Sequence, residues 1–375
     1  MSWDIPLFRI YWDEDDVSSV TEVIRSGMSW ASGEQIKDFE QNLAEYIGSR
    51  YCLTFNSGTS ALHAALIAHG IGSGDDVIVP SFTFIATANS PRFVEASPVF
   101  ADIEDRTFGL DPEDVMEKIT SRTKAIIAIH YGGCPCEIGA LREIADDHGL
   151  ILIEDAAEAM GARKDGRSVG TFGDSSAFSF CQNKIITTGE GGAMATDSAQ
   201  VYEKMKLSRS HGRLETCDYF STSKPMDYVS LGFNFRMSSI TAALGMSQLA
   251  KIEKIIAMRR NAAGIYGKSL REKAPEVVVP QVPTDSLHVY QLFSVLAPCR
   301  DALMAHLENK GIMSKIYFSP VHQTEYYQKT MKSPCSLPVT ERIAQSIISL
   351  PIYPGISPRE MDCVVEVINN FYEGI

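Results

Sequence analysis

The 375-residue sequence lacks the features of a nucleic-acid-binding or membrane protein. Its 34 Lys and Arg against 47 Asp and Glu give a formal net charge of −13, whereas nucleic-acid surfaces need a basic face. No apolar run is long enough to cross a bilayer. The N-terminus has no basic region followed by an apolar stretch, as a signal peptide would. We therefore expect a cytoplasmic protein that binds neither nucleic acid nor membrane.

The eight cysteines are scattered and form no pattern typical of a metal site or a disulfide framework. The one close pair, in Cys134-Pro135-Cys136, has the spacing of neither a zinc knuckle nor a thioredoxin-type motif. We expect reduced, mostly buried thiols and no bound metal.

Short apolar runs alternate with helical segments between residues 50 and 200. We predict strands at 51–55, 76–80, 97–101, 125–129, 150–153 and 175–180, with helices over 59–69 and 137–148 and another that opens at Asp111. Fully apolar strands separated by helices indicate a mostly parallel sheet that is covered on both faces. Beyond it we predict one helix over 238–266, strands at 289–297 and 316–318, and helices over 301–310 and 358–372.

The length favours two domains. We expect a large α/β domain over residues 15–250 and a smaller C-terminal α+β domain over 251–375, with residues 1–14 packing near the smaller one.

Three strand ends carry candidate functional groups, because ligands of parallel sheets lie beyond the carboxyl ends of the strands. After the first strand, Ser57 can cap a helix and leave the amides of Gly58, Thr59 and Ser60 at its positive end. Such an end suits a phosphate, although an ordinary N-cap has the same residues.

The other two strand ends offer a carboxylate and an amine. Glu154 and Asp155 point to opposite sides of their strand, so only one faces the ligand edge. A buried carboxylate there needs a bound cation or a structural ion pair. Lys184 follows the strand at 175–180 and is either a solvated loop residue or a reactive amine.

One cofactor, pyridoxal 5′-phosphate (PLP), uses all three groups. Its aldehyde bonds to a lysine amine, its ring nitrogen needs an acidic partner, and its phosphate needs amides and hydroxyls. If the three strand ends do not converge, a non-PLP enzyme or a plain binding module is the alternative.

The motifs "NSGTSAL", "PSFTFIATAN", "IEDAAEAMGA", "FSFCQNKIITTGEGG" and "GFNFRMSSITAALG" resemble the DegT/DnrJ/EryC1/StrS family of sugar aminotransferases. The resemblance runs from about Pro6 to the C-terminal helix. It implies the fold-type I architecture of PLP-dependent transferases, like that of aspartate aminotransferase, and a homodimer with shared active sites.

The resemblance also implies roles for single residues. Lys184 would hold the cofactor and move the proton, and Asp155 would pair with the ring nitrogen. The remaining cofactor contacts would be Gly58, Thr59, Ser60 and Ser179 at the phosphate, Phe84 stacked on the ring, Glu158 beside the phenolic oxygen in place of a more common Gln, and Asn234 at the phosphate of the partner subunit's cofactor. For Asn234 a turn residue is the alternative. His322 would contact the substrate, with an idle, exposed histidine as the alternative. Weaker candidates for binding a carboxylate or a sugar-nucleotide phosphate, which guanidinium groups suit, are Arg236, His211 and Arg213; a surface or inter-subunit ion pair is their alternative.

The function that the resemblance implies is transfer of an amino group, with glutamate as donor and pyridoxamine phosphate (PMP) as the intermediate cofactor form. The acceptor would be a keto-sugar for a surface polysaccharide such as a lipopolysaccharide O-antigen. We favour a nucleotide-linked 4-keto-6-deoxy hexose, which yields a 4-amino sugar of the perosamine type. The alternatives are Kdo oxidised at C8 and, more remotely, a PMP-dependent sugar dehydratase or a regulatory homologue. Retention of Lys184 disfavours the last two.

Overall fold

The computed structural model describes residues 3–214, 219, 222–331 and 335–374. The strands are β1 (Tyr51–Phe55), β2 (Asp76–Pro80), β3 (Ser97–Ala101), β4 (Thr123–Ile129), β5 (Ile151–Asp155), β6 (Arg163–Lys164), β7 (Arg167–Ser168), β8 (Ser175–Ser179), β9 (Gly192–Thr196), β10 (Ser286–Leu287), β11 (Phe293–Leu296) and β12 (Ile347–Leu350). The helices are α1 (Glu14–Ser26), α2 (Glu34–Ile47), α3 (Gly58–His69), α4 (Ile85–Phe93), α5 (Pro112–Lys118), α6 (Ile138–His148), α7 (Ala199–Arg209), α8 (Ser239–Leu249), α9 (Ile252–Lys273), α10 (Arg300–Asn309), α11 (Glu325–Thr330), α12 (Pro338–Ser346) and α13 (Pro358–Glu373).

A seven-stranded sheet in the order β1-β9-β8-β5-β4-β2-β3 forms the centre of the molecule. Strands β2, β3, β4, β5 and β8 are paired in parallel, and β9 runs antiparallel to both of its neighbours. Strand β1 therefore points the same way as β8. Because six strands share one direction, their carboxyl ends lie along a single edge. The prediction of a mostly parallel α/β sheet is confirmed.

The sequence explains why this sheet is buried on both faces. Strand β4 is apolar over residues 125–129, and those five residues are all buried. Helix α3 is rich in alanine, which is a strong helix former and packs closely against the sheet. Its predicted cap is confirmed, since Ser57 Oγ accepts the amide of Ser60 at 3.1 Å.

A second core lies under the last half of the chain. It surrounds the antiparallel pair β11–β12, where the rings of Tyr266 and Phe293 stack with centroids 5.0 Å apart. The N-terminal segment joins this core through Ile5, and the amides of Asp4 and Ile5 donate to the carbonyl oxygen of Gly311 at 3.0 and 3.1 Å.

Helix α9 connects the two cores. Its first turns, at Ile252 and Ile255, pack with the sheet side of the molecule, whereas Tyr266 and Leu270 belong to the second core. The segment that holds Val321 and Tyr327 packs back onto the sheet core. The division at residue 250 stays a proposal.

The predicted single helix over 238–266 is wrong. Helix α8 ends at Leu249 and α9 begins at Ile252, with Lys251 outside helical geometry between them (φ −106°, ψ 1°). The ammonium group of Lys251 lies 2.7 Å from the carboxylate of Asp16 on α1. This contact is remote in sequence, so no local pattern indicates the break.

The predicted strand at 316–318 is also wrong. Its neighbour Lys315 forms only an isolated bridge with Ser349, and the Tyr131 hydroxyl donates to the carbonyl of Tyr317. The side chain of Phe318 packs with Tyr131 in an aromatic cluster. Burial of these rings takes the place of strand pairing.

Smaller differences affect several boundaries. Strand β5 continues through Asp155, and β11 is shorter than the predicted 289–297. Strands β9 and β12 were not predicted at all.

Within the described ranges, no helix is long and apolar enough to cross a membrane. In the same part of the chain, no cluster of His, Cys, Asp or Glu could hold a metal ion, and the seven cysteines have free thiols.

Candidate active site

The N-terminus of α3 forms an anion site at the carboxyl edge of the sheet. Ser57 Oγ accepts a hydrogen bond from the amide of Ser60. The first-turn amides of Gly58 and Thr59 are left without an intrahelical partner. Ser179, at the end of β8, is in direct contact, since a Cβ on Gly58 would lie 3.2 Å from the Cβ of Ser179. Amides, a hydroxyl and the positive helix end therefore converge, as a phosphate requires.

Strand β9 packs against the start of α3, and this close packing depends on Gly192. A Cβ on Gly192 would lie 2.4 Å from the amide nitrogen of Gly58 and 2.4 Å from the carbonyl carbon of Ser57. Only a residue without a side chain allows the backbone of β9 to approach the helix start so closely. Gly192 thus sets the position of the α3 amides.

Asp155 ends β5 and is 5% exposed. Its Oδ2 accepts a hydrogen bond from Thr87 Oγ1 at 2.7 Å, and its Oδ1 accepts one from the amide of Ala157 at 3.2 Å. Burial raises the pKa of the Asp155 carboxyl, while these two donors and the charge of Lys184 lower it. A cation bound against Asp155 would relieve the desolvation of the carboxylate.

Glu154 lies on the opposite side of β5, as strand alternation predicts. It accepts the amides of Gly170, Phe172 and Gly173 at 2.8, 2.7 and 2.7 Å. His130 Nε2 lies 3.1 Å from the same carboxylate. Glu154 and His130 are therefore structural, and Asp155 is the carboxylate on the ligand side.

Lys184 lies on the turn after β8, where its amide donates to the carbonyl of Cys181 at 2.9 Å. Its Nζ is 3.2 Å from Glu158 Oε1, and the other carboxylate oxygen of Glu158 accepts the amide of Gly132 at 2.9 Å. Both side chains are largely buried. Lys184, Glu158 and Asp155 thus occupy one site.

Phe84 caps the start of α4 and is 59% exposed, an unusual exposure for a large apolar side chain at a sheet edge. The carbonyl of Phe84 accepts the amide of Thr87 at 3.1 Å, and Thr87 in turn donates to Asp155. The ring centroid of Phe84 is 6.2 Å from that of Phe318. An exposed aromatic ring therefore stands at the start of the helix that carries the hydrogen-bond donor to Asp155.

His322 is 4% exposed. Its Nδ1 lies 2.6 Å from Ser81 Oγ and its Nε2 lies 3.3 Å from Glu341 Oε1. Both ring nitrogens have protein partners in this arrangement, which leaves neither for a sugar. The proposed substrate contact of His322 has no direct support from this geometry.

Asn234 lies beside the start of α3 in its own subunit. Its carbonyl accepts a hydrogen bond from Asn56 Nδ2 at 3.3 Å, and Asn56 directly precedes the cap residue Ser57. The role of the Asn234 side chain toward the partner subunit's cofactor stays a prediction.

The remaining substrate candidates surround Ser210, which pairs with Asn234 in an isolated bridge. The guanidinium groups of Arg213 and Arg236 each lie 3.2 Å from Ser210 Oγ. His211 is exposed and adopts a left-handed backbone conformation (φ +63°). Their roles toward substrate also stay predictions.

Three residues of the site were missed from the sequence. Thr87 could have been found, because it lies one turn after Phe84 on the predicted ligand side. Gly132 and Gly192 act through backbone position, which residue type alone does not indicate.

The residues fit PLP. The α3 amides and Ser179 would hold the phosphate, Phe84 would cover the ring, and the desolvated Asp155 would bind the ring nitrogen as its cation. Lys184 supplies the amine and Glu158 lies beside it. A mostly parallel α/β sheet with these groups at its carboxyl edge is typical of a PLP-dependent enzyme.

Comparison with known proteins identifies the family to which this site belongs. Residues 11–369 match the DegT/DnrJ/EryC1/StrS aminotransferase family. A GDP-perosamine synthase of Vibrio cholerae is 36% identical over 99% of this chain and 100% of its own. The chain therefore belongs to the DegT/DnrJ/EryC1/StrS aminotransferase family, as its motifs predict.

Two solved structures share the fold. The aminotransferase PseC of Helicobacter pylori, which takes part in pseudaminic acid biosynthesis, superposes with a TM-score of 0.92 at 29% identity over all of both chains. NtdA of Bacillus subtilis, with bound PMP, superposes with a TM-score of 0.87 at 29% identity over 96% of this chain and 82% of its own.

Proposed function

We propose that this protein transfers an amino group from glutamate to a nucleotide-linked 4-keto-6-deoxy hexose, with PLP bound at Lys184. The observation that carries the proposal is the convergence of Lys184, Asp155 and the α3 amides at one sheet edge. The similarity to a GDP-perosamine synthase over the full chain supports the choice of sugar.

When bound, PLP supplies an aldehyde that exchanges amines and a protonated ring that withdraws electrons from the reacting carbon. Lys184 Nζ is the base that removes and returns the proton on that carbon. Glu158, 3.2 Å away, orients the amine and stays fixed through the amide of Gly132. Because both groups are buried, their attraction is weakly screened.

Asp155 would hold the proton on the ring nitrogen of bound PLP. Thr87 and Ala157 donate to its two oxygens, so the carboxylate is oriented before the cofactor arrives. The first-turn amides of Gly58 and Thr59 would bind the phosphate at the start of α3. Phe84, whose side chain is 59% exposed, would be free to stack on the cofactor ring.

We also propose that the chain works as a homodimer with shared sites. Large apolar side chains are exposed just before and just after α1, at Trp12 (61%), Met28 (75%) and Trp30 (48%). Leu231 is 82% exposed, in the segment that leads to Asn234. Apolar exposure of this extent is typical of a protein interface.

The first experiment locates the cofactor. PLP-loaded protein is reduced with borohydride, digested and mapped by mass spectrometry, and the cofactor is expected on the Lys184 peptide. Lys164 is the matched control, since it is also buried and paired, with Asp285 at 2.9 Å. Lys184→Arg should lose the label and Lys164→Arg should keep it. Label on another lysine would contradict the assignment.

The second experiment identifies the acceptor. PMP-loaded protein is mixed with a GDP-linked 4-keto-6-deoxy hexose, a UDP-linked 3-keto sugar or Kdo oxidised at C8, and the return of PLP absorbance is followed. We expect the first to react at least tenfold faster than the others. A preference for either other sugar would overturn the choice of substrate but not the reaction class.

A further inference from the structure

Residues 288–292, the segment that leads into β11, contact the turn that carries Lys184. Gln291 is 3% exposed, and its Nε2 donates to the carbonyl oxygen of Asn183, the residue before Lys184. The same turn is closed by the hydrogen bond from the Lys184 amide to Cys181. The backbone that carries Lys184 is therefore tied to a part of the chain more than 100 residues away in sequence.

The segment 288–292 also contacts the partner of the lysine. The amides of Val289 and Leu292 donate to the carbonyls of Gly133 and Gly132, each at 3.1 Å. The amide of Gly132 in turn donates to Glu158, which lies 3.2 Å from Lys184 Nζ. One short segment thus supports both members of the Lys184–Glu158 pair.

A buried arginine on α9 holds this segment. Arg259 is 2% exposed, and its Nη1 lies 3.1 Å from the carbonyl of Tyr290 and 3.4 Å from those of Gln291 and Ile352. Burial lowers the pKa of Arg259 to about 10, so the group is still charged at neutral pH. Its Nε has no hydrogen-bond partner among the described residues. A charge buried against carbonyls alone is costly for stability, which suggests a role beyond packing.

We propose that Gln291 is a positioning residue for Lys184, held in place by Arg259. The proposal rests on the proposed function, in which Lys184 Nζ is the base. A reacting group that shifts by about 1 Å loses up to 100-fold in rate, so a second anchor on the turn has a direct use. Gln291 touches neither cofactor nor substrate in this role and acts only through the Asn183 carbonyl.

The first test uses cofactor-free protein. Gln291→Leu removes the donor at nearly constant volume, and Gln248→Leu is the matched control. Gln248 is also 2% exposed, and its Nε2 donates to a distant carbonyl, that of Tyr11, at 2.9 Å. Hydrogen–deuterium exchange of the peptide that spans residues 181–186 should be at least tenfold faster in Gln291→Leu and unchanged in Gln248→Leu. Equal exchange in both variants would overturn the proposal.

The second test uses PLP-loaded protein mixed with L-glutamate in a stopped-flow instrument. In Gln291→Leu the rate at saturating glutamate should fall about 10-fold to 100-fold, with the half-saturating concentration unchanged within twofold. Gln248→Leu should keep both values. A normal rate in Gln291→Leu, or an equal loss in both variants, would make Gln291 merely structural.

A third variant separates a specific effect on the Lys184 turn from general misfolding. Arg259→Lys keeps the charge but ends in a shorter side chain whose nitrogen cannot occupy the position of Nη1 between the three carbonyls, and it should raise exchange in residues 181–186 and lower the rate, each less than Gln291→Leu does. Unchanged exchange in this variant would contradict the role of Arg259. If wild-type protein did not bind PLP at all, the proposed function would fail, and the exchange data would still decide whether Gln291 anchors the turn.

Discussion

Gly192→Ala tests how closely strand β9 must approach the phosphate site. An ideal Cβ at this position lies 2.4 Å from two backbone atoms of the 57–58 peptide. Ordinary contact begins at 3.4 Å, so either β9 or the start of α3 must move by 3.4 − 2.4 = 1.0 Å. The neighbouring atoms belong to the backbone and cannot turn aside as a flexible side chain would.

The magnitude follows from this displacement. Overpacking of a buried site costs about 1–3 kcal/mol. At about 2 °C per kcal/mol for a chain of this size, the Tm of cofactor-free protein should fall by about 2–6 °C. The shift also moves the amide of Gly58 away from the phosphate. Loss of one hydrogen bond to a charged group, about 1.5–3 kcal/mol, would weaken PLP binding by about 10-fold to 100-fold.

The assay combines thermal unfolding with PLP titration followed by absorbance. Gly139→Ala is the matched control, because Gly139 lies on the exposed face of α6 and its Cβ would meet no atom within 4 Å. That variant should be slightly more stable than wild type and bind PLP normally. If Gly192→Ala unfolds and binds PLP like Gly139→Ala, the close approach of β9 to α3 is not what shapes the phosphate site.

Three further predictions concern the carboxylate, its donor and the exposed apolar surface. Thr87→Val removes the 2.7 Å hydrogen bond to Asp155 and should weaken PLP binding about tenfold, while Thr87→Ser should recover most of it; equal affinities in a titration would refute the role of Thr87. Asp155→Asn should make the cofactor-free protein more heat-stable at pH 8, because the raised pKa of Asp155 means that folded protein holds the proton to higher pH and loses stability as pH rises through that pKa. The difference in thermal stability between Asp155→Asn and wild type should shrink toward pH 4, near the usual Asp pKa of 3.8. Equal stability of the two proteins at pH 8 would contradict this prediction. Leu231→Asp should leave the circular dichroism spectrum unchanged, since Leu231 is 82% exposed, but should shift the mass in light scattering from dimer to monomer; an unchanged mass would place the interface elsewhere.

A residue's chemistry is visible in the sequence where its type and its place after a strand both indicate it. A carboxylate and an amine that follow apolar runs single out Asp155 and Lys184, and the structure brings them together with Glu158, while their catalytic roles stay predictions. For His322 the contacts come from distant parts of the fold, and its role toward substrate stays a prediction. Its motif suggested a substrate contact, but Ser81 and Glu341, both remote in sequence, engage its two ring nitrogens.

The parallel sheet, the capped start of α3 and the family could all be predicted from the sequence, because apolar periodicity, capping residues and ordered motifs are local properties of the chain. The pairing of β9 with β1, the break at Lys251 and the hydrogen bond from Gln291 to the turn of Lys184 arise only from tertiary contacts. Each depends on groups that are far apart in sequence. The energy of such a contact exists only after the chain has folded, so no local window of residues contains it.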